Sequence, residues 1–215
     1  GFAGTELALA CARAGLDVLL VTTSLDTLYL LAGDGAVLEP APGTFLAEAA
    51  SELRDESGWV NAWALHRRAK YALEHSPRLH LLQSSVAALR CDGERVVGLE
   101  TWEGVPRLEA RLRLGALTET AGRLSEMAYD ELYHDVQGRG FAFEAARFTA
   151  DEAQGSLPYT VDCRVFAASE RDGFRLRRLS GLYAAGVCLE ASLGYAGAAK
   201  HGADLAALLI AERSG

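Results

Sequence analysis

The stretch that most limits what this chain can fold into is its first fifteen residues, GFAGTELALACARAG. Gly1 and Gly4 bracket a two-residue step. Leu7, Ala8 and Cys11 then recur at helical spacing, and Gly15 supplies a stop. LDVLLVTT, from Leu16 to Thr23, follows as a short and almost unbroken apolar run rich in branched residues, the pattern of a buried parallel strand. Turn, helix and strand in that order make two thirds of a βαβ unit. A dinucleotide-binding turn, G-x-G-x-x-G, uses one glycine for the bend, one to let a pyrophosphate approach the backbone, and one to pack helix against sheet. GFAG supplies the second and third of these. The sequence therefore predicts an upstream strand and first glycine in the natural protein. It predicts a second omission between about Leu108 and Gly115, where RLEARLRLG is too charged for the apolar strand the pattern asks for.

A coarse reading of the remainder gives one α/β domain over residues 1–215 with a parallel central sheet and a small antiparallel meander. Leu25 to Ser57, with LAGDGAVLEPAPG inside it, reads as a long loop able to cover a site, carrying a short helix over 45–53. Val60 to Ser76 reads as an amphipathic helix with Trp63 and Tyr71 available for the core. DGERVVGLETWEG has the turn and alternation of a hairpin. The segment from Gly122 reads as helical up to Gln137, and Tyr159 to Phe166 as a strand. LSGLYAAGVC is a strand entering a glycine turn, and GYAGAAKHGADLAALLIAERSG is a closing helix carrying Ala199, Leu205, Leu208 and Leu209.

That second glycine turn, AAGVCLEASLGYAGAAKHG, favours FAD over a nicotinamide cofactor. A nicotinamide-binding domain has no use for a second such turn near its C-terminal end. FAD does: one helix N-terminus can hold the pyrophosphate while another faces the electron-rich pyrimidine edge of the flavin. The two ends of the chain must then converge on one long ligand.

Composition excludes other classes. The formal net charge of −8 argues against autonomous nucleic-acid binding, which draws its affinity from neutralised phosphates, and leaves that contact to a protein partner or a homo-oligomer. The densest basic spot, HRRAK (66–70), reads as the wet face of a helix. No apolar run is long enough for a membrane span, and no basic stretch precedes an apolar one as in a signal peptide. Cys11, Cys91, Cys163 and Cys188 lack metal-ligand or CxxC spacing, which points to reduced thiols in a cytoplasmic protein. His66, His75, His80, His134 and His201 have no mutual spacing that suggests a metal. His201 lies in the closing helix and reads as solvated or capping.

The residues resemble a known family at several points. GFAGTELALACARAGLDVLLVTTSLDTL is similar to the start of the FAD-binding domain of the GidA (MnmG) family of tRNA uridine carboxymethylaminomethyl-modifying flavoproteins. PRLHLLQSSVAALRCDGERVVGLETWEG resembles its strand and meander, AGRLSEMAYDEL its post-sheet segment, and GLYAAGVCLEASLGYAGAAKHGADLAALL its final FAD-contacting turn and helix. The abbreviated layout resembles a short GidA-related group. The resemblance implies a Rossmann-like FAD-binding domain in which Gly1, Phe2, Ala3 and Gly4 border the pyrophosphate. Thr22, with Thr23, stands where many dinucleotide folds place an acidic ribose ligand. It implies that Val86 meets the adenine through its backbone, unless it is an ordinary strand valine, and that Gly186 and Val187 border the ribityl chain. Gly194 and Tyr195 open the last helix toward the isoalloxazine, with Tyr195 equally readable as a core aromatic. Asp26 and Thr27 either reach the cofactor or only bond their own turn.

The departures from that family bear on function. LDTLYLLAGDG lacks the cysteine of the family's CNP stretch, and nothing after GFAFEAARF matches its KTGTP segment. The length of the sequence leads to the expectation that the inserted nicotinamide-binding region and the helical tRNA-contacting domain are lacking. The leading expectation is a GidA-related redox flavoprotein, or the flavin subunit of one, linked to tRNA wobble-uridine modification. A non-catalytic FAD module or sensor comes second, and a nicotinamide-dependent dehydrogenase domain third.

Overall fold

The computed structural model describes residues 1–22, 24–84, 86–101, 115–117, 148–149, 160–161, 166–190 and 193–214. Helix α1 (Phe2–Arg13) starts at Gly1 and hands over through Gly15, at φ +83°, to strand β1 (Val18–Thr22). Only glycine adopts that left-handed geometry freely, so the expected stop is a helix C-terminal turn. β2 (Gly35–Val37) and helix α2 (Phe45–Leu53) follow. Thr44 caps α2 by accepting from the amide of Ala47. β3 (Trp59–Asn61) leads directly into α3 (Ala62–Glu74), capped by Asn61 at the amide of Ala64. β4 (Leu79–Gln83) returns parallel to β1, with Leu20 opposite Leu81 and Thr22 opposite Gln83.

β5 (Val86–Asp92) and β6 (Arg95–Thr101) form the anticipated antiparallel hairpin around Gly93, at φ +57°. β7 (Gly115–Leu117), β8 (Phe148–Thr149) and β9 (Thr160–Val161) are short, and β8 pairs with β9. β10 (Arg171–Asp172), β11 (Arg175–Leu176) and β12 (Leu182–Ala184) join β7 in a mixed sheet, where β12 runs parallel to β7. A 3-10 turn at Gly186–Cys188 follows, and α4 (Gly194–Ser214) closes the chain. The architecture is mixed α/β with parallel pairing in two places. Among the described residues these strands do not join one central sheet.

One core collects α1, α2 and α3 with Val60, Leu79, Ala198 and Ala199. A second lies under the hairpin and β11–β12 (Leu89, Val96, Phe166, Leu176, Leu182). A third seals α1 to α4 through Leu7, Cys11, Tyr183, Leu205 and Leu209. On α4, Ala199, Leu205 and Leu209 are buried and Leu208 is partly buried.

Several expectations are corrected. Trp63 and Tyr71 are not in the core: they are 57% and 60% exposed, because α3 turns the face bearing Leu65, His66, Ala69 and Leu73 inward. The first two residues of the expected α3 pattern, Val60 and Asn61, belong to β3, whose ladder to β2 removes them from the helix. HRRAK is not uniformly wet, since His66 and Ala69 are buried. β1 is half-buried along its length. Phe166 lies beyond any strand, and its amide donates to the carbonyl of Cys188. The expected omission near 108–115, except for Gly115, and the expected helix up to Gln137 lie outside the described residues.

Candidate site at the two glycine turns

The amides of the first turn of a helix have no intrahelical acceptor, and the aligned peptide dipoles place positive charge there. In α1 that turn carries no acidic residue and no side-chain cap, and Gly1 accepts from the amide of Thr5 through its carbonyl at 3.1 Å. Thr5 is wholly buried and its hydroxyl has no hydrogen-bond partner. An uncapped helix end beside an orphaned hydroxyl suits an anionic ligand with oxygens to share. α4 likewise has no acidic residue in its first turn, and Gly194 stands at φ +59°. Gly186 is at φ +75° where buried β12 runs out into its turn, and α4 packs on that turn.

The two ends of the chain meet. α1 and α4 form the most extensive helix contact among the described residues. A Cβ added at Gly202 would sit 2.2 Å from the carbonyl oxygen of Ala3 and 2.8 Å from Cβ of Glu6. Only glycine allows this approach. Phe2 and Tyr195, the second residues of the two turns, touch with ring centroids 4.8 Å apart. Phe2 also stacks on Tyr29 at 4.0 Å, so its side chain lies in the core.

Thr22 ends β1 beside Gln83, and its carbonyl accepts from the amide of Ser84. The Thr22 hydroxyl donates to the carbonyl of Ser24 at 3.1 Å. Thr23 lies outside the described residues. The Thr27 hydroxyl donates to the Ser24 carbonyl and the Asp26 amide donates to the Ser24 hydroxyl, while Lys70 stands 3.9 Å from the exposed Asp26 carboxylate. Val86 opens β5 opposite Thr101, in the hairpin whose core is separate from that of α1. Val187 lies within the 3-10 turn. Tyr195 fits its reading as a core aromatic. It packs against the α1 core, and its hydroxyl accepts from the amide of Ala32 at 2.6 Å.

His201 is half-buried, and it lies inside α4 rather than at its end. Its Nδ1 is buried without a partner, its ring meets Phe174 edge-on, and burial pulls its pKa below the ordinary imidazole value. Burial also pushes the Cys11 thiol up to about 11, which makes it an inert core thiol, and Cys188 is buried as well. Cys163 lies outside the described residues.

Sequence reasoning missed three residues. Glu6 is 2% exposed, yet its Oε1 and Oε2 accept from the amides of Leu46 and Phe45, each at 2.8 Å, at the start of α2. It also accepts from the hydroxyl of Tyr29. Burial raises the Glu6 carboxyl, opposed by those hydrogen bonds and by Arg13. Tyr29 is fully buried at φ +56°, and no local sequence signal marks it. Gly202 could have been suspected as an isolated glycine inside a helical pattern. A groove of about 380 Å³ lined by Glu6, Leu9, Arg13, Gly43, Phe45 and Ala203 also runs along α1, but none of the glycines expected at the cofactor lines it.

Fold and site together define an α/β protein built on two converging glycine turns. A solved atypical thioredoxin reductase, TRi from Desulfovibrio vulgaris Hildenborough, shares that fold with a TM-score of 0.55 over 99% of this chain and 96% of its own, at 15% identity. The crystal structure of the GidA-related protein from Thermus thermophilus is far nearer. It aligns with a TM-score of 0.73 and 35% identity over 99% of this chain and 95% of that one. The family model for glucose inhibited division protein A matches residues 1–56. The chain belongs to the GidA-related family. The tRNA uridine 5-carboxymethylaminomethyl modification enzyme MnmG of Chlamydia muridarum is 29% identical over 178 residues, 66% of this chain. The match spans only 29% of the length of that curated relative. No helix among the described residues is long and apolar enough to cross a membrane.

Proposed function

We propose that the chain binds FAD across its two glycine turns and serves as a redox flavoprotein, or as the flavin-carrying subunit of one, in tRNA wobble-uridine modification. The observation that carries the reading is the contact of Phe2 with Tyr195, which joins two turns from opposite ends of the sequence at 4.8 Å. Gly1 to Gly4 would hold the pyrophosphate through first-turn amides, with the orphaned Thr5 hydroxyl beside them. Thr22 would offer a neutral oxygen to the ribose, and Thr23 and the backbone of Val86 would lie toward the adenosine. Gly186, Val187, Gly194 and Tyr195 would border the flavin end. A bound flavin supplies the electron or hydride transfer, and the protein's part is to orient it and to place the positive end of α4 near it.

The acidic balance of the chain assigns contact with tRNA to a partner protein or to a second copy of the chain. The lack of a cysteine in LDTLYLLAGDG favours a second reading, FAD held without turnover as a stabilising or sensing module. Purified protein titrated with FAD tests the first step: uptake with a perturbed flavin spectrum is expected, and a colourless protein that takes up no FAD overturns the proposal. Anaerobic bleaching by NADH or NADPH separates the redox protein from the passive module. Modified-nucleoside profiles with and without the gene test the tRNA link, and unchanged profiles remove it.

A further inference from the structure

The segment between β1 and α2 is fastened to both glycine turns by one closed circuit of contacts. Glu6 accepts from the Tyr29 hydroxyl, and the Tyr29 ring stacks on Phe2 in the first turn. Phe2 meets Tyr195 in the second turn, and the Tyr195 hydroxyl accepts from the amide of Ala32, back in the segment itself. Glu6 fixes the far end of the same segment through the amides of Phe45 and Leu46. His66 fixes it from below, its Nδ1 donating to the carbonyl of Leu28 at 2.6 Å. Tyr29 is the one non-glycine residue at positive φ among the described residues. Such a conformation persists only where its surroundings over-determine it, and here a buried carboxylate and two aromatic rings (Phe2 and Phe45) do so.

We propose that Glu6 and Tyr29 are positioning residues which set the alignment of the two glycine turns, and through it cofactor affinity, without touching the cofactor. The role in affinity rests on the FAD reading above; the role in alignment does not. A carboxylate that only capped α2 would need neither the tyrosine hydroxyl nor the left-handed backbone at Tyr29. The ring of contacts passes through the second residue of each turn, so slack at Tyr29 is passed to the backbone of Phe2 and from there to Tyr195.

The test uses Glu6→Gln and Tyr29→Phe, which keep volume while removing one carboxylate oxygen or one hydroxyl. Hydrogen exchange of the FAD-free proteins is followed over residues 1–4, 24–44 and 62–74. Roughly tenfold faster exchange is expected in the first two regions, equivalent to about 1.4 kcal/mol, with α3 unchanged. FAD titration is expected to show a comparable loss of affinity in each variant, and the double variant should be no weaker than the worse single one, as for two members of one contact. Exchange that rises uniformly, or nowhere, overturns the proposal, as does unaltered FAD affinity with a lowered melting temperature. If the unaltered protein takes up no FAD, the cofactor reading alone fails and exchange still decides the positioning role. If Glu6→Gln does not fold, Tyr29→Phe decides it.

Discussion

Replacing Gly202 by alanine separates a fold that needs its two terminal helices in backbone contact from one that merely lets them lie side by side. The added Cβ would stand 2.2 Å from the carbonyl oxygen and 2.9 Å from the carbonyl carbon of Ala3, and 2.8 Å from Cβ of Glu6. Carbon–oxygen contacts settle at about 3.3–3.6 Å, so α1 and α4 must part by about 1 Å. None of those atoms is the end of a flexible side chain, so nothing can swing aside. Over-packing of this kind costs about 1–3 kcal/mol. Alanine returns at most about 1 kcal/mol through its better helix propensity and the smaller entropy of the unfolded chain. The clash wins. A net loss of about 1–2 kcal/mol is expected in urea unfolding followed by far-UV circular dichroism, with the m-value unchanged. At this chain length that equals a fall in melting temperature of about 2–8 °C. Gly98→Ala in β6 is the control, since its Cβ would find only Cβ of Arg90, at an ordinary 3.9 Å. If Gly202→Ala is as stable as the control or the unaltered protein, the close approach of α1 and α4 is refuted.

Glu6 gives a pH dependence. Its buried carboxyl titrates above its ordinary value of 4.5, so between that value and its folded pKa the native state holds a proton that the unfolded chain has released. Stability contributed by Glu6 should therefore fall as pH rises through that window, and Glu6→Gln should flatten this part of a pH series of urea midpoints. Trp63→Ala should change stability by no more than about 0.5 kcal/mol, whereas Leu65→Ala, two residues on and fully buried, should cost about 2–5 kcal/mol in the same assay. Gly186→Ala forces a side chain to φ +75° and should cost about 1–2 kcal/mol in unfolding free energy; equal stability would show that the turn is not left-handed. Tyr183→Phe removes the hydroxyl that donates to Glu212 at 2.8 Å and should destabilise by about 0.5–1.5 kcal/mol, read as a small drop in melting temperature.

The opening turn, helix and strand, the hairpin around Gly93 and the closing helix are legible in the sequence because each is a local pattern: apolar periodicity, a turn glycine, a capping residue. The helix over 45–53 is readable to the residue, since Thr44 and the apolar run behind it lie side by side in sequence. Trp63 and Tyr71 mislead because a pattern with aromatics on one face and aliphatic residues on the other does not say which face finds a partner. α3 turns Leu65, Ala69 and Leu73 to the core because α1 and β4 lie on that side. Glu6 and Tyr29 are invisible, and the reason for Gly202 is hidden, on related grounds. A carboxylate is tolerable in a core only where amides 39 and 40 residues away meet it, and a glycine is required in mid-helix only where another backbone arrives. Sequence alone determined the local elements and the two glycine turns, because backbone preference and periodicity act over a few residues. Tertiary structure alone decided that those turns meet and which buried groups hold them together, because the contacts of Phe2 with Tyr195 and of Ala3 with Gly202 join the first helix to the last.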